Sequence, residues 1–232
     1  MRYAIYFVPA VNHSLWELGN LWLGRNPETG GIFIQPCVAG CSPDEIKAVT
    51  IAPRRYGLHA TIKPPFQLAR GHDEAELKVR LKKFCAIRQS FELPHLEVAT
   101  LDDFIALKLI QPNHKINELA DACVAEFDNF RSPPDETELA RRKPETLSDS
   151  GRANLARWGY PHVFEDFRFH ITLTQSTTPD QRVRLLPWLA DYFATALAHP
   201  CRVDGLALYV EPFPDAALQL VRRFPFAEDV GE

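Results

Sequence analysis

The chain has 232 residues, 46% of them hydrophobic, and a formal net charge of −4. That length suits one bilobal domain or two small ones sharing a core. No apolar run approaches the ~20 residues that cross a bilayer, and the acidic balance argues against a long nucleic-acid footprint, which needs many basic contacts.

The first apolar run is cut by Pro9 and lacks a signal-peptide layout. The 5 cysteines are odd in number and read as buried, reduced thiols of a cytoplasmic protein. Cys37-x-x-x-Cys41 has no second ligand pair nearby, so neither a metal nor another cofactor is expected.

In chain order, Tyr3–Val8 alternates like a strand, and Leu15–Leu23 reads as an apolar helix. Leu58-His59-Ala60-Thr61-Ile62 follows as a second strand. Asp73–Gln89 places Leu77, Leu81, Phe84 and Cys85 on one helical face. Phe91–Leu101 and Phe104–Ile110 read as strands joined by a turn at Asp102-Asp103. His114–Phe130 is amphipathic through Ile116, Leu119, Ala120, Cys123 and Phe127.

Residues 131–166 form a long charged insert punctuated by proline, with a short helix expected over Ser148–Trp158; inserts of this length in compact domains are usually functional or disordered. Phe169-His170-Ile171-Thr172-Leu173 is again a strand. Pro179–Ala198 carries a helix start signal: Thr178 as N-cap, Pro179 at the first position and Gln181 closing a capping box. Pro187 predicts a kink or a late start. Cys201–Val210 and Ala217–Phe224 close the chain as strands around a turn at Pro212–Asp215.

The order strand, helix, HxT strand, helix, strand occurs twice, over residues 1–102 and 103–232. The expected architecture is α+β: a duplicated bilobal fold with two antiparallel-rich sheets and flanking helices around a central cleft.

The two HxT segments carry the chemistry. Successive side chains of a strand point to opposite faces, so i and i+2 share one. His59 projects with Thr61, and His170 with Thr172. Imidazoles exchange protons near neutral pH, so a pair can serve as general base and general acid together. Hydrolysis of a cyclic phosphodiester needs that pair: one imidazole takes a proton from water, and the other gives one to the leaving sugar oxygen. Thr61 and Thr172 are candidate donors to the non-bridging phosphate oxygens. Strand alternation adds Lys63 and Arg168 as cations that offset transition-state charge, and it puts Thr174 on the same face. Trp158 and Tyr160 could stack on a base or cap the cleft, or equally anchor the insert. A P-loop and a G-x-S-x-G nucleophile elbow are both absent.

The paired motifs and duplicated lobes resemble the two-histidine (2H) phosphoesterase superfamily. This group includes bacterial RNA 2′-5′ ligase-like proteins and cyclic nucleotide phosphodiesterases. The run Arg55-Tyr56-Gly57-Leu58-His59-Ala60-Thr61-Ile62-Lys63-Pro64-Pro65-Phe66 resembles, more narrowly, a branch found beside phosphonate-metabolism genes. So do Trp158-Gly159-Tyr160-Pro161 and Phe167-Arg168-Phe169-His170-Ile171-Thr172-Leu173-Thr174. That resemblance implies a small phosphate ester as substrate, such as a cyclic ribose phosphate, and adds Arg55 and Tyr56 to the candidate substrate or lid contacts. A nucleotide- or RNA-binding protein without turnover, or a 2′-5′ ligase running the same chemistry in reverse, would use the same cleft.

Overall fold

The computed structural model describes residues 1–135, 139 and 144–227. Its main element is a seven-stranded antiparallel sheet ordered β4-β5-β6-β2-β1-β8-β9. The strands are β1 (Arg2–Phe7), β2 (Ala60–Phe66), β4 (Leu96–Leu101), β5 (Phe104–Leu109), β6 (His170–Thr172), β8 (Gly205–Glu211) and β9 (Gln219–Pro225). A second sheet pairs β3 (Phe91–Glu92) with β7 (Arg202–Val203). The helices are α1 (Ser14–Leu23), α2 (Pro43–Tyr56), α3 (Glu74–Ala86), α4 (His114–Glu126), α5 (Asp149–Trp158) and α6 (Pro179–Leu197). The fold is therefore α+β with antiparallel sheets. No helix among the described residues is long and apolar enough to cross a membrane.

About the junction of β2 and β6 the order β6-β5-β4 is matched by β2-β1-β8, with β9 added beyond β8, and the sequence halves exchange strands across it. β2 and β1 come from the first half, but β8 beside them comes from the second; β6 and β5 come from the second half, but β4 beside them comes from the first. The helices follow the exchange: α3 packs on β8 and β9, and α6 on β4 and β5. One core runs through both halves, from Leu15, Trp22 and Ile46 to Phe193, Leu206 and Phe224.

Local signals set most helix ends. Asp73 and Thr178 each form a complete capping box, and Ser148 caps α5 through the Gly151 N–H. α6 begins at Pro179 and continues past Pro187, so the late start expected from that proline does not occur. α2 lies outside the elements that the sequence pattern predicts. Its start signal, Ser42 followed by Pro43, Asp44 and Glu45, is complete. Its apolar stripe is thin, with Ile46, Val49, Thr50 and Pro53 buried, and Pro53 interrupts the helical pattern. Among the cysteines, Cys85, Cys123 and Cys201 are buried free thiols as expected, whereas Cys37 is exposed.

Candidate active site

β2 and β6 pair through Ala60 and Ile171, which puts the two HxT segments side by side at the centre of the sheet. Each histidine is held the same way. His59 Nδ1 lies 2.8 Å from the Gly57 carbonyl, and His170 Nδ1 lies 2.8 Å from the Arg168 carbonyl. A carbonyl only accepts, so Nδ1 carries the proton in both rings and Nε2 is left to do chemistry. The Thr61 hydroxyl sits 3.2 Å from His59 Nε2, where it donates to the neutral ring.

The rings differ in surroundings. Tyr6 stacks on His59 with centroids 3.9 Å apart, and Tyr56 lies 5.9 Å away. Burial pushes the His59 pKa down to about 4, with a smaller contribution from His170 in the same direction; the bond to Gly57 opposes them. Burial also lowers the pKa of His170, and His162 adds to that, while the Arg168 carbonyl and Asp102 oppose it. Phe104 lies 5.8 Å from the His170 ring.

A cleft of about 500 Å³ opens beside them. Thr61, Asp102, Phe104, Tyr160, His162, Arg168 and His170 contribute to its walls, together with the insert residues Thr146–Ser148. The cleft thus leans toward the second half of the chain. Tyr160 and Arg168, both expected from sequence, line it. Thr172 lies on β6 opposite Ala106 and is part-buried. The remainder of the 131–166 insert, at 136–138 and 140–143, lies outside the described residues.

Four expected site residues are placed elsewhere. Lys63 does not share a face with Thr61. Thr61 pairs with Tyr6 and Lys63 with Ile5, so β2 carries an extra residue between them. This bulge reverses the alternation. Lys63 therefore points with Ile5 into the core, 2% exposed, and Nζ donates to the Val124 carbonyl of α4 at 3.2 Å. Thr174 is displaced by a similar irregularity. The N–H groups of Leu173 and Thr174 both donate to the Ile105 carbonyl, and the buried Thr174 hydroxyl accepts from the Ile105 N–H. Arg55 is tied to Glu211 and the Ala216 carbonyl. Trp158 packs on Phe164 and under the Arg157 guanidinium, which makes it an anchor of the insert.

Sequence reading missed Tyr6, Phe104, Asp102 and His162, whose strand or turn positions carry no motif. It also missed a duplicated brace. Arg25, buried, donates to the carbonyls of Arg54 and Arg55 at the end of α2 and to that of Leu218. Arg131 donates to the Arg157 carbonyl near the end of α5. Each arginine satisfies carbonyls that a helix C-terminus leaves without partners, in the element that leads to an HxT strand. Gly57, with φ of +78°, makes the turn from α2 into the first motif, and a Cβ there would strike the Pro27 ring.

The site and fold define an α+β protein with a symmetric pair of strand-borne histidines at an antiparallel junction. Residues 61–219 match the family described as protein of unknown function (DUF1045), and the chain belongs to that family. It is similar to the ribose 1,5-bisphosphate phosphokinase PhnN of Janthinobacterium sp. (strain Marseille), with 37% identity over 97% of this chain and 51% of that protein. Similarity to PhnN of Laribacter hongkongensis (strain HLHK9) is 38% over 96% and 51%. The chain spans about half the length of the curated relatives it matches. Among solved structures, E. coli LigT complexed with 3′-AMP aligns over 98% of both chains at 13% identity, with a TM-score of 0.42. The protein TT0787 of Thermus thermophilus aligns over 99% and 100% at 14% identity, with a TM-score of 0.46.

Proposed function

We propose that this protein is a phosphoesterase that opens a small cyclic phosphodiester by acid–base catalysis between His59 and His170. The observation that carries the reading is the matched presentation of the two imidazoles. Each stands at one of two adjacent central strands, each is locked by Nδ1 to the carbonyl two residues earlier, and each presents Nε2 for proton transfer, that of His59 beside the Thr61 hydroxyl. Water attacks phosphorus as one Nε2 accepts its proton. The ring bond to the sugar oxygen breaks as the other Nε2 supplies a proton to that oxygen. Thr61 and Arg168 are the proposed phosphate contacts at the cleft wall, with Thr172 on the neighbouring strand.

The substrate we favour is a cyclic phosphate of a ribose phosphate, acted on in phosphonate metabolism. The resemblance of the motif-flanking segments supports this. So does the name of the curated relatives, ribose 1,5-bisphosphate phosphokinase, since hydrolysis of a ribosyl cyclic phosphate is a route to a ribose phosphate. This stretch has no P-loop, so we do not assign it the kinase step.

The test is turnover of a panel of ribose and nucleoside cyclic phosphates. His59→Ala and His170→Ala should each lower kcat by roughly 10²–10⁴-fold, the usual scale for positioned acid–base groups. Turnover within a few-fold of wild type in both variants would refute the reading. Tight binding of the same esters with no turnover would favour a binding protein that uses this cleft.

A further inference from the structure

The repeat predicts equal neighbours for the two HxT threonines, and the structure does not supply them. Across the β1–β2 ladder Thr61 pairs with Tyr6; across the β5–β6 ladder Thr172 pairs with Ala106. Directly opposed residues of an antiparallel pair project to the same face. The first half therefore sets a phenol beside its histidine and threonine where the second half has a methyl group.

Tyr6 is held tightly. It is 1% exposed and its ring is stacked on the His59 imidazole at an interplanar angle of 28°, with the Tyr209 ring 4.9 Å away on the other strand. Its hydroxyl has no hydrogen-bond partner among the described residues. The fully enclosed hydroxyl without a partner is that of the neighbouring Tyr209 and not that of Tyr6. The ionisable groups facing Tyr6 are Tyr56, Tyr209, Tyr160 and Arg2, besides His59 itself. Tyr160 lines the cleft together with Thr61 and His170, and Thr61 is the cross-strand partner of Tyr6. None of these neighbours is a carboxylate that would claim its proton. Burial holds the phenol neutral, and so a donor, far above any working pH.

We propose that Tyr6 is a further catalytic residue, whose hydroxyl donates a hydrogen bond to a non-bridging oxygen of the reacting phosphate, beside Thr61 and His59. The role rests on the phosphoesterase reading. Charge accumulates on those oxygens in the transition state, and a fixed neutral donor in a dry site stabilises it without reorganising. The missing counterpart at Ala106 makes the two histidine sites inequivalent, with the extra donor on the His59 side.

The test is Tyr6→Phe in the full chain, which deletes one oxygen and keeps the stacked ring. We expect kcat on a 2′,3′-cyclic nucleotide or ribose cyclic phosphate to fall roughly 10–100-fold. The limbs of the pH profile should stay in place, because the environment of His59 is kept. Binding of orthovanadate, measured by calorimetry, should weaken by about the same factor as kcat/KM. Wild-type kcat/KM in Tyr6→Phe, with His59→Ala and His170→Ala inactive, would overturn the role of Tyr6 and leave the two-histidine reading standing. Wild-type turnover in the histidine variants would overturn both. If no ester in the panel turns over, the vanadate arm decides: equal affinity in wild type and Tyr6→Phe refutes the proposed contact, and weakened affinity supports it.

Discussion

An imidazole buried from water gives up its proton early even when Nδ1 is tied to a carbonyl, and that fixes how activity must depend on pH. The pKa of His59 is lowered to about 4 and that of His170 is also lowered. At pH 7 the free protein holds both rings neutral, yet the proposed chemistry needs one charged. The bell of kcat/KM should therefore sit below neutrality, with an alkaline limb under the ordinary histidine value of 6.5 and an acid limb reaching toward 4. The limbs belong to the coupled pair. A bound phosphate anion favours the imidazolium, so the kcat profile should lie at higher pH than that of kcat/KM. Initial rates across the acid range, in wild type and each histidine variant, check this; a kcat/KM optimum at pH 8 would contradict it. Linkage has a matching sign. The unfolded chain binds more protons at these histidines between pH 6.5 and 4, so the fold loses stability as pH falls through that window. Lys63 supplies the opposite kind of test. Burial lowers its pKa to about 8, so between 8 and its unfolded value the unfolded chain again binds more protons, and stability rises with pH there. Lys63→Met should keep activity, be neutral to about 3 kcal/mol more stable at pH 7, and lose that alkaline rise. A large drop in kcat would restore Lys63 to the phosphate site.

At the scale of elements, what the sequence shows is what local chemistry determines. The capping boxes at Asp73 and Thr178 and the apolar runs of β1 and β5 are written within a few residues, and those elements lie where pattern reading puts them, whereas Phe91–Leu101 and Cys201–Val210, each read as one strand, divide into β3 and β4 and into β7 and β8. The histidines and Thr61 are legible for the same reason, since they sit ahead of the first bulge in β2. Lys63 and Thr174 lie beyond irregularities created by pairing with distant strands, and two-residue periodicity cannot foresee a bulge. Arg25 is illegible because its acceptors are backbone carbonyls 29, 30 and 193 residues away. Its role is nonetheless testable. Lysine keeps the charge but loses the fork that spans several carbonyls. Arg25→Lys should lower stability by about 1–3 kcal/mol, the cost of buried acceptors left unmatched. Because α2 ends in the turn that supplies the Gly57 carbonyl, it should also lower kcat more than it raises KM. Denaturant melts and steady-state kinetics measure the two effects separately; an unchanged midpoint of unfolding would count against the brace.

At the scale of the molecule, the duplication is a repeat of sequence and an exchange of structure. β1 needs β8 as its outer neighbour, β4 needs β5, and the small sheet exists only where β3 meets β7. α3 covers strands of the other half, and α6 packs chiefly on β4, which also comes from the other half. A fragment of residues 1–102 would therefore present β1 with one open edge, β4 with no partner, and the apolar face of α3, built on Leu77, Leu81 and Phe84, with nothing beneath it. The hydrophobic burial that offsets chain entropy is lost on three fronts at once, and unpaired edges invite association. We expect the separate fragments 1–102 and 103–232 to lack cooperative unfolding and dispersed amide resonances, and the two co-expressed to recover both, along with the cleft. The cut falls within the Asp102-Asp103 turn that joins β4 to β5, so it removes one covalent link and no ladder hydrogen bond between strands. Activity on the cyclic ester should return only in the mixture, because His59 comes from one fragment and His170 from the other. A first fragment that folds cooperatively alone would mean that the exchanged strands are not what holds the halves together.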